Sequence, residues 1–419
     1  MNAIYYLAVT AYRGLLHLAA LFQPKARSWV AGRKNWRVRL AAWREQLPVD
    51  ANIYWMHCAS LGEFEQGRPV LEAIRKARPA VRIVLTFFSP SGYEQKKDYP
   101  QADYIAYLPA DSPANARDWV SLLRPQQVIF VKYEFWAYHL RALAQRRVPI
   151  YLIAASFRPK QVFFRWYGSF FKQLLGRFTA IFVQTVKDEA LLLQHNCLPA
   201  ERIYVAGDPR VDRVRNIAEQ AIDFPRISQF KNDHRLLVVG SSWPPDETIV
   251  LHEGGKWLPP DWKILIAPHN IGEDQVQQIV QSSGESVLRY SQIDANSNLT
   301  NARILILDTI GMLSRVYHYA DLAYIGGGFG VGIHNTLEPA AFHLPILFGP
   351  KYEKFPEAVQ LVQTGGAFVV QNTADFEATF AKLQKVAAHE RASNAVAAYV
   401  AENQGATQRI VSHLLSAAD

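Results

Sequence analysis

Apolar residues fall in short runs along this chain, separated by stretches whose apolar positions recur at helical spacing. The segments 53–58, 81–87, 127–132, 150–155 and 180–184 are brief, apolar and often β-branched, as buried strands are. Between them, 65–78 and 136–147 carry the 3.6-residue period of helices. A second series follows at 236–240, 263–267, 303–307, 322–325 and 345–348. Strands alternating with helices predict an α/β fold with a parallel, doubly wound sheet, here formed twice. The polar stretch 215–234, with Pro225 and no strong period, separates the series and marks the expected domain boundary.

Composition refines this picture. A chain of 419 residues exceeds one ordinary core and suits two domains of about 200 residues. With 49% hydrophobic and 20% charged residues, each half can bury a core and disorder is excluded. The net charge of +8 favours anionic partners: nucleic acid, phosphorylated lipid or an anionic membrane face. Cys58 and Cys197 stand in apolar contexts and read as buried thiols of a reducing compartment.

Residues 4–22 are mostly apolar but interrupted by Thr10, Arg13 and His17 at helical spacing. A spanning helix would not carry a central arginine, and a signal peptide would place its charge first. Lys25, Arg27, Arg33, Lys34, Arg37 and Arg39 follow directly, so the segment reads as an interfacial anchor; a first helix packed on its own domain is the alternative. The segment 158–177 interleaves Phe163, Phe164, Trp166, Tyr167, Phe170 and Phe171 with Arg165 and Lys172. Aromatics at helical spacing are usually core, but here they go nearly all round a helix, which suits a membrane interface or a lipid phosphate. Single-stranded nucleic acid also favours this mixture, yet no nucleic-acid motif accompanies it, and no nucleic-acid partner is expected.

Candidate chemistry lies where these strands end, because ligands of parallel sheets bind beyond the carboxyl ends. The stretch 326–350, GGGFGVGIHNTLEPAAFHLPILFGP, follows a strand and opens into a glycine loop that includes Gly328. Glycines allow close backbone approach, and a helix start offers N–H groups to an anion. Asn335 and Glu338 follow; a carboxylate there can accept two ribose hydroxyls, or it can complement the helix dipole. Gly240, Ser241 and Ser242, before a helix bearing Asp246 and Glu247, suit a phosphate. His269 follows another strand and is either structural or a ligand group. Ser60-Leu61-Gly62-Glu63 follows strand 53–58. It forms either a capping box or a general base at Glu63. Glu134 is a second strand-end acid, or a solvated turn residue. Arg210 stands where it can pair with Asp208 or Asp212 as a structural residue.

Taken in order, these motifs resemble the glycosyltransferase family that transfers 3-deoxy-D-manno-octulosonic acid (Kdo) from CMP-Kdo to a lipid A precursor. The carrying segments are Gly32-Arg33, Ala59 to Glu63, Ser89-Pro90-Ser91-Gly92-Tyr93, Glu134 with Trp136, Asp208 to Asp212, Asp308-Thr309-Ile310-Gly311 and 326–350. The resemblance implies the GT-B architecture, two facing Rossmann-like domains with an N-terminal membrane-interface helix. It implies an anchor over 1–40, an acceptor domain over 41–215, a donor domain over 216–400 and a last helix, 401–419, returning to the first domain. Glu63 would be the general base and Glu134 its support. Ser60, Gly62, Ser89 and Arg158 would face the acceptor. Arg210, Gly240, Ser241, Ser242, His269, Thr309, Gly311, Gly328, Asn335 and Glu338 would hold the donor. No cofactor or metal is implied, and the chain carries no Asp-x-Asp motif. The place of work would be the cytoplasmic, anionic face of the inner membrane. The chain departs from the family pattern at Lys132, 154–158, Pro268 and Met312. A GT-B enzyme for another nucleotide sugar, including an epimerase, and a membrane-surface scaffold are the rival readings.

Overall fold

The computed structural model describes residues 2–220, 223–284, 286–330 and 332–416, without the side chains of residues 2 and 3. Met1 of the expected anchor, Val331 of the glycine loop and the last three residues of 401–419 lie outside that set. The chain divides into two compact units, Met1–Asp212 with Asn403–Asp419, and Arg213–Glu402.

Unit 1 begins with three helices, α1 (Asn2–Ala19), α2 (Pro24–Gly32) and α3 (Trp36–Glu45). Its strands are β1 (Ile53–Cys58), β2 (Arg82–Phe87), β3 (Tyr104–Tyr107), β4 (Gln127–Val131), β5 (Ile150–Ala155), β6 (Ala180–Val183) and β7 (Ile203–Val205); helix α4 (Leu61–Ala77) follows β1. Unit 2 contains β8 (Arg235–Ser242), β9 (Trp262–Pro268), β10 (Val287–Arg289), β11 (Ile304–Ile306), β12 (Leu322–Ile325), β13 (Ile346–Phe348) and β14 (Ala367–Val369). The sheet orders are β3-β2-β1-β4-β5-β6-β7 and β10-β11-β9-β8-β12-β13-β14. Every strand pair is parallel, as expected; Met56, for example, lies between Leu85 and Ile129.

Period-2 alternation explains why both faces are covered. Trp55, Phe130 and Leu152 point into a cluster with Trp119, Leu140 and Phe178. Their neighbours Met56, Ile129 and Ile153 point the other way, onto Phe64 and Val70 of α4. Each such side chain contributes about 1.5–3 kcal/mol when fully buried. Ile410, Val411 and Leu414 of helix Ala406–Ser416 join the second cluster. Asp212 caps that helix, accepting the amides of Gly405 at 2.5 Å and Thr407 at 2.7 Å.

Two expectations near the membrane signal need correction. Arg33 is not an outward charge. It lies inside, donating to the carbonyls of Leu108, Trp29 and Phe88 at 2.8, 3.0 and 2.7 Å, with its guanidinium 3.8 Å from the Trp29 ring centre. Burial lowers its pKa to about 9. The segment 158–177 is not one aromatic helix either: a short turn, Val162–Phe164, precedes helix Ser169–Leu175. Phe163 and Phe170 are buried and Phe164 and Phe171 pack on the core, so the usual core reading prevails; Trp166 and Tyr167 are exposed. Along α1 and the turn after it, Ile4, Leu7, Leu15, Leu18, Leu21 and Phe22 are also exposed. Among the described residues no single helix is long and apolar enough to cross a membrane; α1 and α2 together have the composition but are bent by 120°. Both cysteines are free and buried.

Candidate functional site

In unit 1 the strand order reverses between β1 and β4, which opens a crevice beyond their carboxyl ends. Glu63, in the first turn of α4, and Glu134, just after β4, flank that point. Ser60 precedes α4 but does not form the capping box. Its hydroxyl donates to the Glu63 carboxylate instead of accepting a backbone amide. Gly62 is exposed in the same turn.

Glu134 is only 9% exposed, and one of its oxygens is the end of a buried chain. Trp55 Nε1 donates to Thr86 Oγ1 at 2.7 Å, and Thr86 Oγ1 meets His57 Nδ1 at 2.8 Å. His57 Nε2 lies 3.0 Å from Glu134 Oε2, which also accepts from Trp136 Nε1 at 2.6 Å. With a proton on Nε2, His57 donates to Glu134 and can accept from Thr86 at Nδ1. Burial first, then the charges of Glu63 and Glu134, push the Cys58 thiol well above its usual value, so both carboxylates act on one spot. Tyr133 joins them. Burial raises its pKa, Ser156 and Arg158 oppose the shift, and Asp188 and Glu63 reinforce it. Arg158 is exposed, with its amide donated to Gln161 Oε1 at 3.0 Å. Ser89 caps helix Pro90–Lys96, accepting the Ser91 amide at 3.2 Å.

Arg210 also belongs to unit 1, where its Nε and Nη2 fork Asp208 Oδ2 at 3.0 and 2.6 Å. Burial would favour neutral Asp208, but Arg210 and then Lys132 hold it below the usual carboxylate range. Of the two acids named for the structural alternative, Asp208 is the one that Arg210 pairs with.

In unit 2 the reversal lies between β8 and β12, and the donor candidates gather there. Gly240 lies against Tyr317: a Cβ on it would stand 2.0 Å from the Tyr317 hydroxyl oxygen. Burial first, then the charge of Glu338, raises the pKa of Tyr317, which links β8 to that carboxylate. Asn335 Nδ2 donates to Glu338 Oε1 at 3.0 Å and Asn335 Oδ1 accepts the Leu337 amide at 3.1 Å. Ser241 has a left-handed φ of 53°. Ser242 is buried and donates to Glu247 at 2.8 Å. The following helix, Pro244–Val250, starts with two prolines, and its N-cap amide, Trp243, donates to Asp246 at 3.0 Å. An anion here would meet the β8 turn rather than helix amides. Thr309 Oγ1 lies 3.0 Å from Met312 Sδ, and Gly311 has φ 87° with open space at its Cβ position.

The glycine loop is shaped by its own packing. Gly328 has no room for a Cβ because Gly349 Cα would be 2.5 Å away, so backbone packing by itself requires glycine there. Buried Asp246 clamps the loop, accepting the Gly327 amide at 2.8 Å and the Tyr324 hydroxyl at 3.0 Å. His269 donates its amide to Ser242 O at 2.9 Å, and its ring stacks on both Trp243 and His334, centroids 4.6 Å from each. Trp243 Nε1 donates to His334 Nε2 at 2.9 Å. Burial first, then the charge of His269, lowers the His334 pKa to about 4. Sequence reasoning missed His57, Tyr133, Trp243 and His334. Each lies within a motif already singled out or one or two residues from one, and that proximity was the available signal.

A family described as 3-deoxy-D-manno-octulosonic-acid transferase (kdotransferase) matches residues 34–213. The chain is 26% identical over 368 residues to the 3-deoxy-D-manno-octulosonic acid transferase of Haemophilus influenzae, covering 85% of each. It is 24% identical to that of Aquifex aeolicus, covering 82% of this chain and 89% of the other. Two solved structures share the fold. UDP-GlcNAc 2-epimerase from Neisseria meningitidis, bound to UDP-GlcNAc, is 15% identical with a TM-score of 0.61, covering 87% of this chain and all (100%) of the other. MurG from Acinetobacter baumannii is 14% identical with a TM-score of 0.54, covering 87% and 99%. With its two parallel α/β units the chain has the GT-B architecture, and the matched segment and these relatives support a Kdo transferase, an enzyme of the glycosyltransferase class.

Proposed function

We propose that this chain transfers Kdo from CMP-Kdo to a lipid A precursor in lipopolysaccharide core biosynthesis, with inversion and without a metal, at the cytoplasmic face of the inner membrane. The observation that carries the reading is the position of Glu63. It stands beside the strand-order reversal of unit 1, with its carboxylate held by a hydroxyl that can turn away. An acceptor hydroxyl attacking the anomeric carbon of Kdo would lose its proton to Glu63. The new C–O bond forms as the bond to the CMP phosphate oxygen breaks, leaving its electron pair on CMP. Such a base contributes about 10²–10⁴-fold to the rate. Glu134, fixed by His57 and Trp136, is assigned to support Glu63. Ser60, Gly62, Ser89 and Arg158 are assigned to the acceptor side.

The donor is assigned to unit 2. Glu338, steadied by Asn335, takes the ribose hydroxyls; Gly240–Ser242, His269, Thr309 and Gly311 surround the phosphate. The exposed apolar side chains of α1 support attachment to a bilayer surface. The decisive experiment incubates CMP-Kdo and a lipid A precursor with wild type and Glu63→Gln. Transfer should fall by about 10²–10⁴-fold while calorimetric affinity for CMP is unchanged. Turnover like the wild type would return Glu63 to a structural part. Tighter binding of UDP than of CMP would point to another nucleotide sugar. Partitioning to anionic liposomes that is unchanged after deleting α1 would remove the membrane assignment.

A further inference from the structure

Away from the residues assigned to donor and acceptor, a cavity of about 630 Å³ opens in unit 1 between α1, α2, α3 and the turn after β3. Small-molecule sites span about 300–1,000 Å³. Arg13 and His17, one helical turn apart on α1, line it together with Trp29, Lys34, Trp36 and Arg37. Among the described residues no acidic side chain lines it.

The protein neutralises only part of this charge. Arg37 is tied to Asp118 at 2.8 Å and to Asn115 at 2.9 Å, with its guanidinium 4.4 Å from the Trp36 ring centre. Arg33, also in the lining, donates to three backbone carbonyls, which carry no net charge. Among the described residues no carboxylate pairs with Arg33, Arg13 or Lys34. Trp29 is 4% exposed, and its buried Nε1–H has no hydrogen-bond partner. A cation drawn out of water and met only by neutral dipoles costs free energy that a facing anion offsets. A phosphate suits this set, because a guanidinium forks its oxygens and an ammonium adds a point charge.

The same elements expose apolar side chains. Leu7, Leu15 and Leu18 share one face of α1 and are 64, 64 and 62% exposed; Val38 of α3, in the cavity lining, is 70% exposed. Cations beside an apolar face complement a bilayer surface that carries acidic phospholipid. We propose that the cavity seats the phosphate of an anionic phospholipid headgroup, held by Arg13 and Lys34 beside Arg33, while the leucine face of α1 lies among the acyl chains. This rests on the bilayer attachment proposed for α1 and not on sugar transfer.

Flotation of the full chain would compare vesicles of phosphatidylcholine alone, with phosphatidylglycerol, and with oleate at matched charge. The wild type should bind phosphatidylglycerol vesicles about tenfold or more tighter than oleate vesicles. Arg13→Gln combined with Lys34→Gln should abolish that preference. Lys25→Gln removes the same kind of charge from α2 outside the cavity; it should lower uptake on both anionic vesicles alike, by about fivefold, and keep the preference. Lys34 is exposed, so if the double variant does not fold, Lys34→Gln alone should still reduce the preference by about half or more. A wild type that takes up both anionic vesicles equally, or a folded double variant that keeps the preference, overturns the site. Saturable stabilisation by inorganic phosphate without the preference would assign a soluble ester and overturn the headgroup. Leu15→Ser with Leu18→Ser tests the attachment separately: if this variant loses uptake on every vesicle while the wild type shows no preference, the attachment stands and the cavity falls. No uptake of the wild type on any vesicle overturns both and leaves sugar transfer to its own assay.

Discussion

Replacing His57 by alanine breaks the chain that holds Glu134. The imidazole is fully buried, between Thr86 at 2.8 Å and Glu134 at 3.0 Å, and packs against the Phe130 ring. Its removal deletes a hydrogen bond to a carboxylate, about 1.5–3 kcal/mol, and one of the bonds of the Thr86 hydroxyl, about 0.5–1.5 kcal/mol. A cavity remains where the ring stood, so we expect unit 1 to lose about 3–5 kcal/mol. Glu134→Gln removes the charge but keeps the shape. Since the two residues share one bond, the double variant should be less destabilised than the sum of the singles, by about 1–3 kcal/mol. Urea unfolding read by tryptophan fluorescence measures all four proteins, with buried Trp55 and Trp119 as reporters in unit 1. A His57→Ala loss under about 1 kcal/mol, or additivity within about 0.5 kcal/mol, would refute the chain.

Three further outcomes follow from the geometry. His334 has a folded pKa of about 4 against an ordinary 6.5, so below pH 6.5 the unfolded chain binds a proton that the native state refuses. Stability should therefore fall as the pH drops from 6.5 towards 4, by about 1–2 kcal/mol after allowing for partial solvent exposure; His334→Gln should flatten that part of the urea-midpoint profile. Gly328→Ala places a methyl group on the Gly349 backbone and should cost about 1–3 kcal/mol of unit 2 stability; an unchanged denaturation midpoint would show that the loop can yield. Cys58 is buried, with its thiol pKa raised, and should resist a thiol reagent until urea unfolds unit 1; prompt labelling in native buffer would contradict that burial.

The central strands were legible because burial on both faces leaves a continuous apolar run. Ile53–Cys58, Ile150–Ala155 and Leu322–Ile325 have the expected limits. The four strands that sequence reasoning missed, β3, β7, β10 and β14, are the edges of the two sheets. Edge strands are short and half-covered; Tyr204 and Val205 of β7 are each 36% exposed, and all of β10 is half-buried. Nothing in three such residues distinguishes them from loop.

Chain order and residue chemistry determined by themselves the α/β class, the parallel sheets and the strand ends where polar and glycine-rich motifs collect. They could not decide between the two uses of an identical motif. Ser-x-x-Glu is a cap or a reactive pair according to which group the serine hydroxyl meets, and Arg210 is a ligand fork or a tether according to where Asp208 lies. Nor could they show His57 beside Glu134, 77 positions away, or Gly328 against Gly349. Hydrogen bonds and close backbone contacts act over a few ångströms, and only the folded chain brings residues so distant in order within that range.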